Sequence, residues 1–191
     1  MNRKIPAESV KMLVQQGYEQ LQAEAAPEAL EIFSAALAIE PKSPEALRGL
    51  GLARFQLKQW PAAIAAFRQA RDLTPESTDN WVELGISLAR DSQIYPALEV
   101  FEALLAEHPG CVRGYIELGM LYIYIGAIPK GRQQLENALL KRPTPAQRQL
   151  IQAVLKEQSK LDRKRLYRPD FEALNQEKAK KRSSGEKRKG V

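Results

Sequence analysis

Small, aromatic and proline positions return along this chain at a constant 34-residue step. The glycine series is Gly17, Gly51, Gly85 and Gly119, and the proline series is Pro41, Pro75, Pro109 and Pro143. Phenylalanines keep the same step at Phe33, Phe67 and Phe101. Several series that share one period indicate successive copies of one structural unit, since a solenoid shows self-similarity at a fixed interval.

Signals for the beginning of a helix follow the same register. Ser9, Ser43 and Ser77 recur at the 34-residue step just before the first helix of a copy, where a side-chain oxygen can accept hydrogen bonds from the first free amides of a helix. Pro27, Pro61 and Pro129 fall near the middle of three copies, and proline suits the first turn of a helix. Each copy is therefore predicted to hold two helices separated by a short turn.

The residues between these markers resemble a known family. The third copy has Trp81-x-x-Leu84-Gly85-x-x-Leu88, then Ala97-x-x-x-Phe101, then Pro109. This pattern resembles the tetratricopeptide repeat, whose signature is W-x2-L-G-x2-Y, A-x3-F, P. The resemblance implies an all-α fold, a right-handed α-solenoid of stacked antiparallel helix pairs in which neighbouring copies bury each other's apolar faces.

The expected organisation has four parts. Residues 1–9 lead into four repeats over 10–143, at approximately 10–43, 44–77, 78–111 and 112–145. Thr144-Pro145 predicts the start of a helix over 144–160 that caps the last repeat, because terminal repeats need a polar outer face. Residues 161–191 form a basic tail, expected to contain a short helix near residues 171–182 and then disorder.

By the same resemblance, the first helix of each repeat lines a concave groove, which we expect to bind a peptide. The predicted groove residues are Tyr18, Arg48, Leu52, Phe55, Val82, Ile86, Arg113, Ile116, Met120, Ile123 and Tyr124. Most are apolar, and a large apolar strip facing water usually has a partner. The alternative is that tight curvature, the N-terminal segment or a second subunit buries this strip.

The same helices argue against one type of tetratricopeptide ligand. Family members that hold the acidic EEVD-type C-terminal tails of heat-shock chaperones use lysine, arginine and asparagine as a carboxylate clamp. Here Asp79, Glu83 and Glu117 accompany only Arg48 and Arg113. We therefore expect no carboxylate-clamp binding.

Catalytic and cofactor chemistry has little support. The chain has one histidine, His108, and one cysteine, Cys111, which falls short of the usual ligand sets of structural or catalytic zinc. His108 is interpreted as a helix C-terminal residue, and Cys111 as a substitute for the capping serines found at the same position of other copies. We expect no enzyme activity, no cofactor and no metal.

Charge is concentrated at the C-terminal end. Residues 161–191 hold 11 lysines and arginines against five acids, whereas residues 1–160 are balanced at 18 of each. The candidate polyanion contacts are Lys178, Lys180, Lys181, Arg182, Lys187, Arg188 and Lys189. Such a segment can bind nucleic acid or an anionic membrane weakly through charge alone, or it can be a solvated end.

These observations favour a non-enzymatic scaffold, adaptor or chaperone-like protein that binds an apolar segment of a partner in the groove. Two alternatives stay open: a nucleic-acid- or ribosome-associated recruiter that acts through the tail, and a purely structural subunit. The sequence contains no apolar run long enough for a membrane span and no apolar stretch typical of a signal peptide. The expected location is the cytoplasm.

Overall fold

The structure is a computed structural model that describes residues 7–166. Within this range all regular secondary structure is helical. The helices are α1 (Ala7–Gln22), α2 (Ala26–Ile39), α3 (Pro44–Gln56), α4 (Trp60–Leu73), α5 (Thr78–Arg90), α6 (Ile94–Glu107), α7 (Val112–Tyr124), α8 (Ile128–Leu140) and α9 (Pro145–Leu166). The all-α prediction is confirmed.

The first eight helices form four successive pairs. In each pair the two helices pack against each other across a short turn, and the second helix of each pair also contacts the first helix of the next. This arrangement is the predicted stack of helix pairs, in which each pair covers an apolar face of its neighbour. These helices belong to one compact unit that ends at Thr144.

Helix α9 belongs to a separate unit, which starts at Pro145. It begins where Thr144-Pro145 predicts and continues to Leu166, beyond the predicted end at residue 160. Its sequence has few turn-forming residues before Pro169, so nothing local stops the helix earlier. Its capping role stays a prediction. The described residues do not include the lead-in before residue 7, the predicted short helix near residues 171–182 or the seven candidate tail residues.

The turn within each pair has a left-handed residue at the same repeat position. The φ angles are 58° at Glu24, 58° at Lys58, 62° at Ser92 and 83° at Gly126. The residue after each of them closes the turn with a backbone bond of 2.9 Å, as in Gln59 N to Arg54 O. A left-handed residue after a helix lets the backbone amides that follow it donate hydrogen bonds to the last unpaired carbonyls of that helix.

Side-chain caps begin two of the first helices. Ser43 Oγ accepts a hydrogen bond of 3.4 Å from Ala46 N, and Cys111 Sγ accepts one of 3.4 Å from Gly114 N. The interpretation of Cys111 as a capping substitute is confirmed. His108 is the C-terminal cap residue of α6, and its Nε2 lies 3.1 Å from Pro75 O.

The core lies between the helix pairs and repeats with them. Phe33, Phe67 and Phe101 are essentially inaccessible to water, at 0%, 0% and 1% exposure. Each ring rests on the backbone of a first-helix glycine in its own pair, so the glycine lets the two helices approach closely. This contact is the physical reason that the glycine series and the phenylalanine series share one period.

Candidate functional site

The first helices of the four pairs, α1, α3, α5 and α7, supply the face on which the predicted groove residues lie; we call it the groove face. Side chains join neighbouring helices across it. Tyr18 donates a hydrogen bond of 3.2 Å to Glu45 O, and Gln56 donates one of 3.4 Å to Leu21 O. Burial is the main reason that the pKa of Tyr18 is raised, against the opposing influence of Arg48. These contacts fix the spacing of the helices that form the face.

A chain of ion pairs crosses the centre of the groove face. Arg48 Nη2 lies 3.1 Å from Asp79 Oδ2, and Arg113 Nη1 lies 3.8 Å from Asp79 Oδ1. Arg113 Nη2 also lies 2.9 Å from Glu83 Oε1, and the Glu83 side chain is only 11% exposed. The two predicted basic groove residues are therefore neutralised by acids of the same face.

Two of the predicted groove residues are buried, which corrects the prediction that they face water. Val82 is 1% exposed and Ile116 is 5% exposed. Val82 belongs to the central core cluster together with Trp81 and Leu118. Val82 and Ile116 occupy the same position of successive repeats, and at this position the side chain packs inside the array instead of lining an open surface.

The middle of the predicted apolar strip is also used largely for packing. Leu52, Phe55 and Ile86 are half-buried against the central core cluster. The rings of Phe55 and Trp60 meet edge to face with centroids 4.9 Å apart. Ile123 packs against α8: a Cβ atom at Gly131 would lie 2.6 Å from its Cγ1. The strip is therefore narrower than the sequence predicts.

The open apolar part of the groove face lies at the end of α7. Met120 is 41% exposed and Tyr124 is 77% exposed. Beside them a cavity of about 410 Å³ opens between α5, α6 and α7. Its lining residues are Ile86, Ala89, Arg90, Ser92, Ile94, Phe101, Glu117, Met120, Leu121 and Tyr124. A cavity of this size accommodates one or two side chains of a ligand.

Glu117 is the acidic residue that lines this cavity. Burial raises the pKa of its carboxyl group above the usual value, and the neighbouring Glu83 acts in the same direction. Arg113 and Arg90 oppose that rise. Among the residues that the structure describes, none makes a hydrogen bond or an ion pair with the Glu117 carboxylate, which therefore stands partly desolvated and unpaired.

The described residues offer binding surfaces and no assembled reactive group. In this part of the chain no three histidine, cysteine or acidic residues lie close enough together to hold a metal ion. Cys111 is engaged as a helix cap and His108 contacts a backbone carbonyl. None of the helices described is both long enough and apolar enough to cross a membrane.

Sequence reasoning missed the second-helix contribution to the cavity. Ile94 and Phe101 belong to α6, whereas the predicted groove was assigned to first helices alone. A signal existed, because Trp60, Ile94 and Ile128 recur with the repeat period at the start of a second helix. Glu117 is also a first-helix residue, but its lack of an ion pair follows from the pairing of Arg113 with Glu83, which depends on three-dimensional distances.

Comparison with known proteins identifies the repeat. The family model for the tetratricopeptide repeat matches residues 14–78. No curated protein matches the chain significantly.

Solved structures are similar over most of the chain. MamA from Desulfovibrio magneticus RS-1, residues 41 to the end, is 26% identical with a TM-score of 0.62, covering 72% of this chain and 77% of that one. A thermophilic TPR protein of Thermus thermophilus is 20% identical with a TM-score of 0.68, covering 80% and 84%. YrrB, described as a TPR protein with an unusual peptide-binding site, is 22% identical with a TM-score of 0.65, covering 78% and 75%.

Proposed function

We propose that this chain, which is a tetratricopeptide-repeat protein, binds an apolar segment of a partner protein on the groove face, at the end of α7. It does so as a non-enzymatic adaptor or chaperone-like scaffold. The tetratricopeptide repeat is a fold of protein–protein interaction scaffolds. The observation that carries this proposal is the cavity of about 410 Å³ whose edge carries the exposed side chains of Met120 and Tyr124. Apolar side chains that stay exposed beside a cavity are typical of a ligand site.

The distribution of exposure along the groove face supports this location. Val82 and Ile116 are withdrawn into the core, whereas Met120 and Tyr124 remain open to water. An apolar ligand side chain gains free energy roughly in proportion to the area that it removes from water, so it gains most where apolar residues are still exposed. The end of α7 is therefore the preferred anchor site.

The ion pairs of the groove face argue against an acidic peptide tail as the ligand. Arg48 and Arg113 are held by Asp79 and Glu83 at 3.1 Å and 2.9 Å. A ligand carboxylate would have to compete with these pairs. Drawing Arg113 away from Glu83, whose side chain is 11% exposed, would leave a largely buried charge unpaired, which is costly. Charge on this face thus favours ligands without a cluster of acidic groups.

Selection from a random peptide library displayed on phage tests the proposal. The wild-type protein is expected to enrich peptides that share apolar anchor residues. Binding of the enriched peptides should fall at least about tenfold in a Met120→Glu, Tyr124→Ser double variant, because both open apolar contacts are lost.

A matched control variant exists on the second helices. Leu73 and Tyr95 are 40% and 77% exposed, close to the values for Met120 and Tyr124, and they lie on α4 and α6. The Leu73→Glu, Tyr95→Ser variant should bind the enriched peptides as the wild type does. Equal binding by the α7 variant, with an unchanged helical circular-dichroism spectrum, would place the site elsewhere.

A further inference from the structure

The Glu117 carboxylate lies partly buried at the edge of a cavity. It lines the cavity between α5, α6 and α7 together with Ile86, Phe101 and Met120. Burial raises the pKa of this carboxyl group. A partly desolvated carboxylate gains more from a new cationic partner than a fully hydrated one, because charges attract more strongly where water is displaced.

The side chains around this carboxylate suit a cation carried on an apolar stem. Glu117, Met120 and Tyr124 lie on successive turns of α7, and residues three and four positions apart share one helix face. Tyr124 is 77% exposed, so its ring is free to contact a ligand. Aromatic faces attract ammonium and guanidinium groups, and the alkyl stems of lysine and arginine pack on apolar walls.

We propose that the cavity between α5, α6 and α7 accepts a lysine or arginine side chain of the bound partner segment, with its alkyl stem against Ile86 and Met120 and its charged head at Glu117. This inference rests on the proposed peptide-binding function and adds a specificity to it. The partner segment is therefore amphipathic: apolar residues flank one basic residue.

The basic residues already near the cavity do not occupy this role. Arg113, which opposes the rise in the pKa of Glu117, is held by Glu83 at 2.9 Å and faces Asp79 at 3.8 Å. Arg90 also lines the cavity and opposes the rise in the pKa of Glu117. It is exposed in the last turn of α5, so water and salt weaken its repulsion of a ligand cation. The lining residues contributed by α6, Ile94 and Phe101, carry no charge.

Other ligand side chains fit less well. An acidic side chain would place a second carboxylate beside Glu117 in a partly desolvated site, which is unfavourable. A purely apolar side chain would cover the Glu117 carboxylate without a hydrogen-bond partner, at the cost of its remaining hydration. The cavity thus discriminates among ligands by charge as well as by size.

A set of four synthetic peptides tests this. The host is acetyl-Gly-Ser-Leu-X-Leu-Ser-Gly-amide, with lysine, N-acetyllysine, norleucine or glutamate at X. Binding is followed by NMR from the methyl group of Met120. The lysine peptide should bind about tenfold more tightly than the norleucine and acetyllysine peptides at neutral pH, and the glutamate peptide should be weakest.

Two further measurements separate charge recognition from folding. Glu117→Gln keeps the shape of the side chain, so it should reduce binding of the lysine peptide to that of the norleucine peptide. It should leave binding of the norleucine peptide no weaker than in the wild type, because the neutral amide costs less to cover than the carboxylate. In the wild-type protein, acidification should weaken binding of the lysine peptide as Glu117 becomes protonated, at a pH above the ordinary glutamate value because burial raises this pKa. Binding of the norleucine peptide should not weaken, because protonation removes the cost of covering a carboxylate. The pH measurement needs no variant.

The outcomes are distinguishable from those of the proposed function. Tighter binding of the norleucine peptide, or an unchanged lysine preference in Glu117→Gln, overturns the basic specificity while peptide binding itself stands. Absence of any shift at Met120 with all four peptides overturns the cavity as the anchor site. The library selection then decides independently whether the groove face binds peptides at all.

Discussion

The ring of Phe101 in α6 rests directly on the backbone of Gly85 in α5. A Cβ atom at Gly85 would lie 2.5 Å from Cζ and 2.7 Å from Cε1 of this ring. Phe101 is only 1% exposed, so its ring is enclosed on all sides. The same contact recurs between Gly51 and Phe67, one repeat earlier. The contact therefore couples the glycine series to the phenylalanine series.

We expect Gly85→Ala to lower the free energy of unfolding by about 1–2 kcal/mol. Alanine gains up to about 1 kcal/mol in helix propensity, and forcing a methyl group into a packed core costs about 1–3 kcal/mol. Urea unfolding measures the difference. Gly110→Ala, in the turn between α6 and α7, adds a methyl group that meets nothing within 4 Å, so it should not show this packing cost. A stabilised Gly85→Ala protein would mean that α5 and α6 are not in close contact.

Phe67→Ala should lower the free energy of unfolding by about 3–5 kcal/mol, because it leaves a cavity where neighbouring helices meet. Phe67 is 0% exposed. Tyr95→Ala removes a ring of similar size that is 77% exposed, and it should change stability by less than about 0.5 kcal/mol. Similar losses in both variants would contradict the assignment of Phe67 to the core.

The fold was predictable because the repeat supplies the same local signals several times. The glycine, phenylalanine and proline series share one period, and packing between Gly85 and Phe101 explains why the first two do. Capping was predicted with less success. Ser43 and Cys111 cap their helices, whereas Ser77 makes no side-chain cap hydrogen bond, and Ser9 lies inside α1, which begins at Ala7. The left-handed turn residues Lys58 and Ser92 carry no glycine signal, since backbone bonds of the turn impose their conformation.

The candidate site was only partly predictable. Ile86 and Met120 occupy the same position of successive repeats, but Ile86 is half-buried and Met120 is 41% exposed. Exposure at a repeat position depends on the residues that neighbouring helices present, which periodicity does not encode. The pairing of Arg113 with Glu83, which leaves Glu117 unpaired, likewise depends on three-dimensional distances.

We expect Arg113→Met to lower the free energy of unfolding by about 1–3 kcal/mol, because the variant leaves a largely buried charge unpaired. The Arg113 guanidinium lies 2.9 Å from the Glu83 carboxylate, whose side chain is 11% exposed. The double variant Arg113→Met, Glu83→Gln should recover part of this loss. A double-mutant cycle in urea measures the coupling, and strictly additive effects would show that the pair contributes nothing.

Tyr122 should be among the last tyrosines to ionise. Its hydroxyl donates a hydrogen bond of 2.5 Å to Glu102, which is the main reason that its pKa is raised to about 12. An ordinary tyrosine has a pKa of about 10, so the folded state holds this proton more tightly than the unfolded state. The contribution to stability is therefore complete below about pH 10 and is lost as the pH rises toward 12.

Absorbance titration at alkaline pH measures this ionisation, and Tyr122→Phe identifies its transition by removing it. Glu102→Gln should move the transition toward the ordinary pKa, because the neutral amide repels phenolate less. A transition that stays in place in Glu102→Gln would contradict the role of the hydrogen bond between Tyr122 and Glu102.

The basic tail permits a prediction from sequence alone. Seven basic residues against one acid stand in residues 178–191. If they bind polyanions, association with RNA or anionic vesicles should be indifferent to sequence and should weaken steeply with added salt, because binding releases condensed counterions. Deleting residues 178–191 should abolish this association and leave peptide binding at the end of α7 unchanged, since residues 1–160 carry balanced charge. The measurement is binding to RNA or anionic vesicles as a function of salt concentration, for the full chain and for the deletion variant. Equal polyanion binding by both proteins would make the tail a solvated end, and would remove the support for a recruiter that acts through nucleic acid.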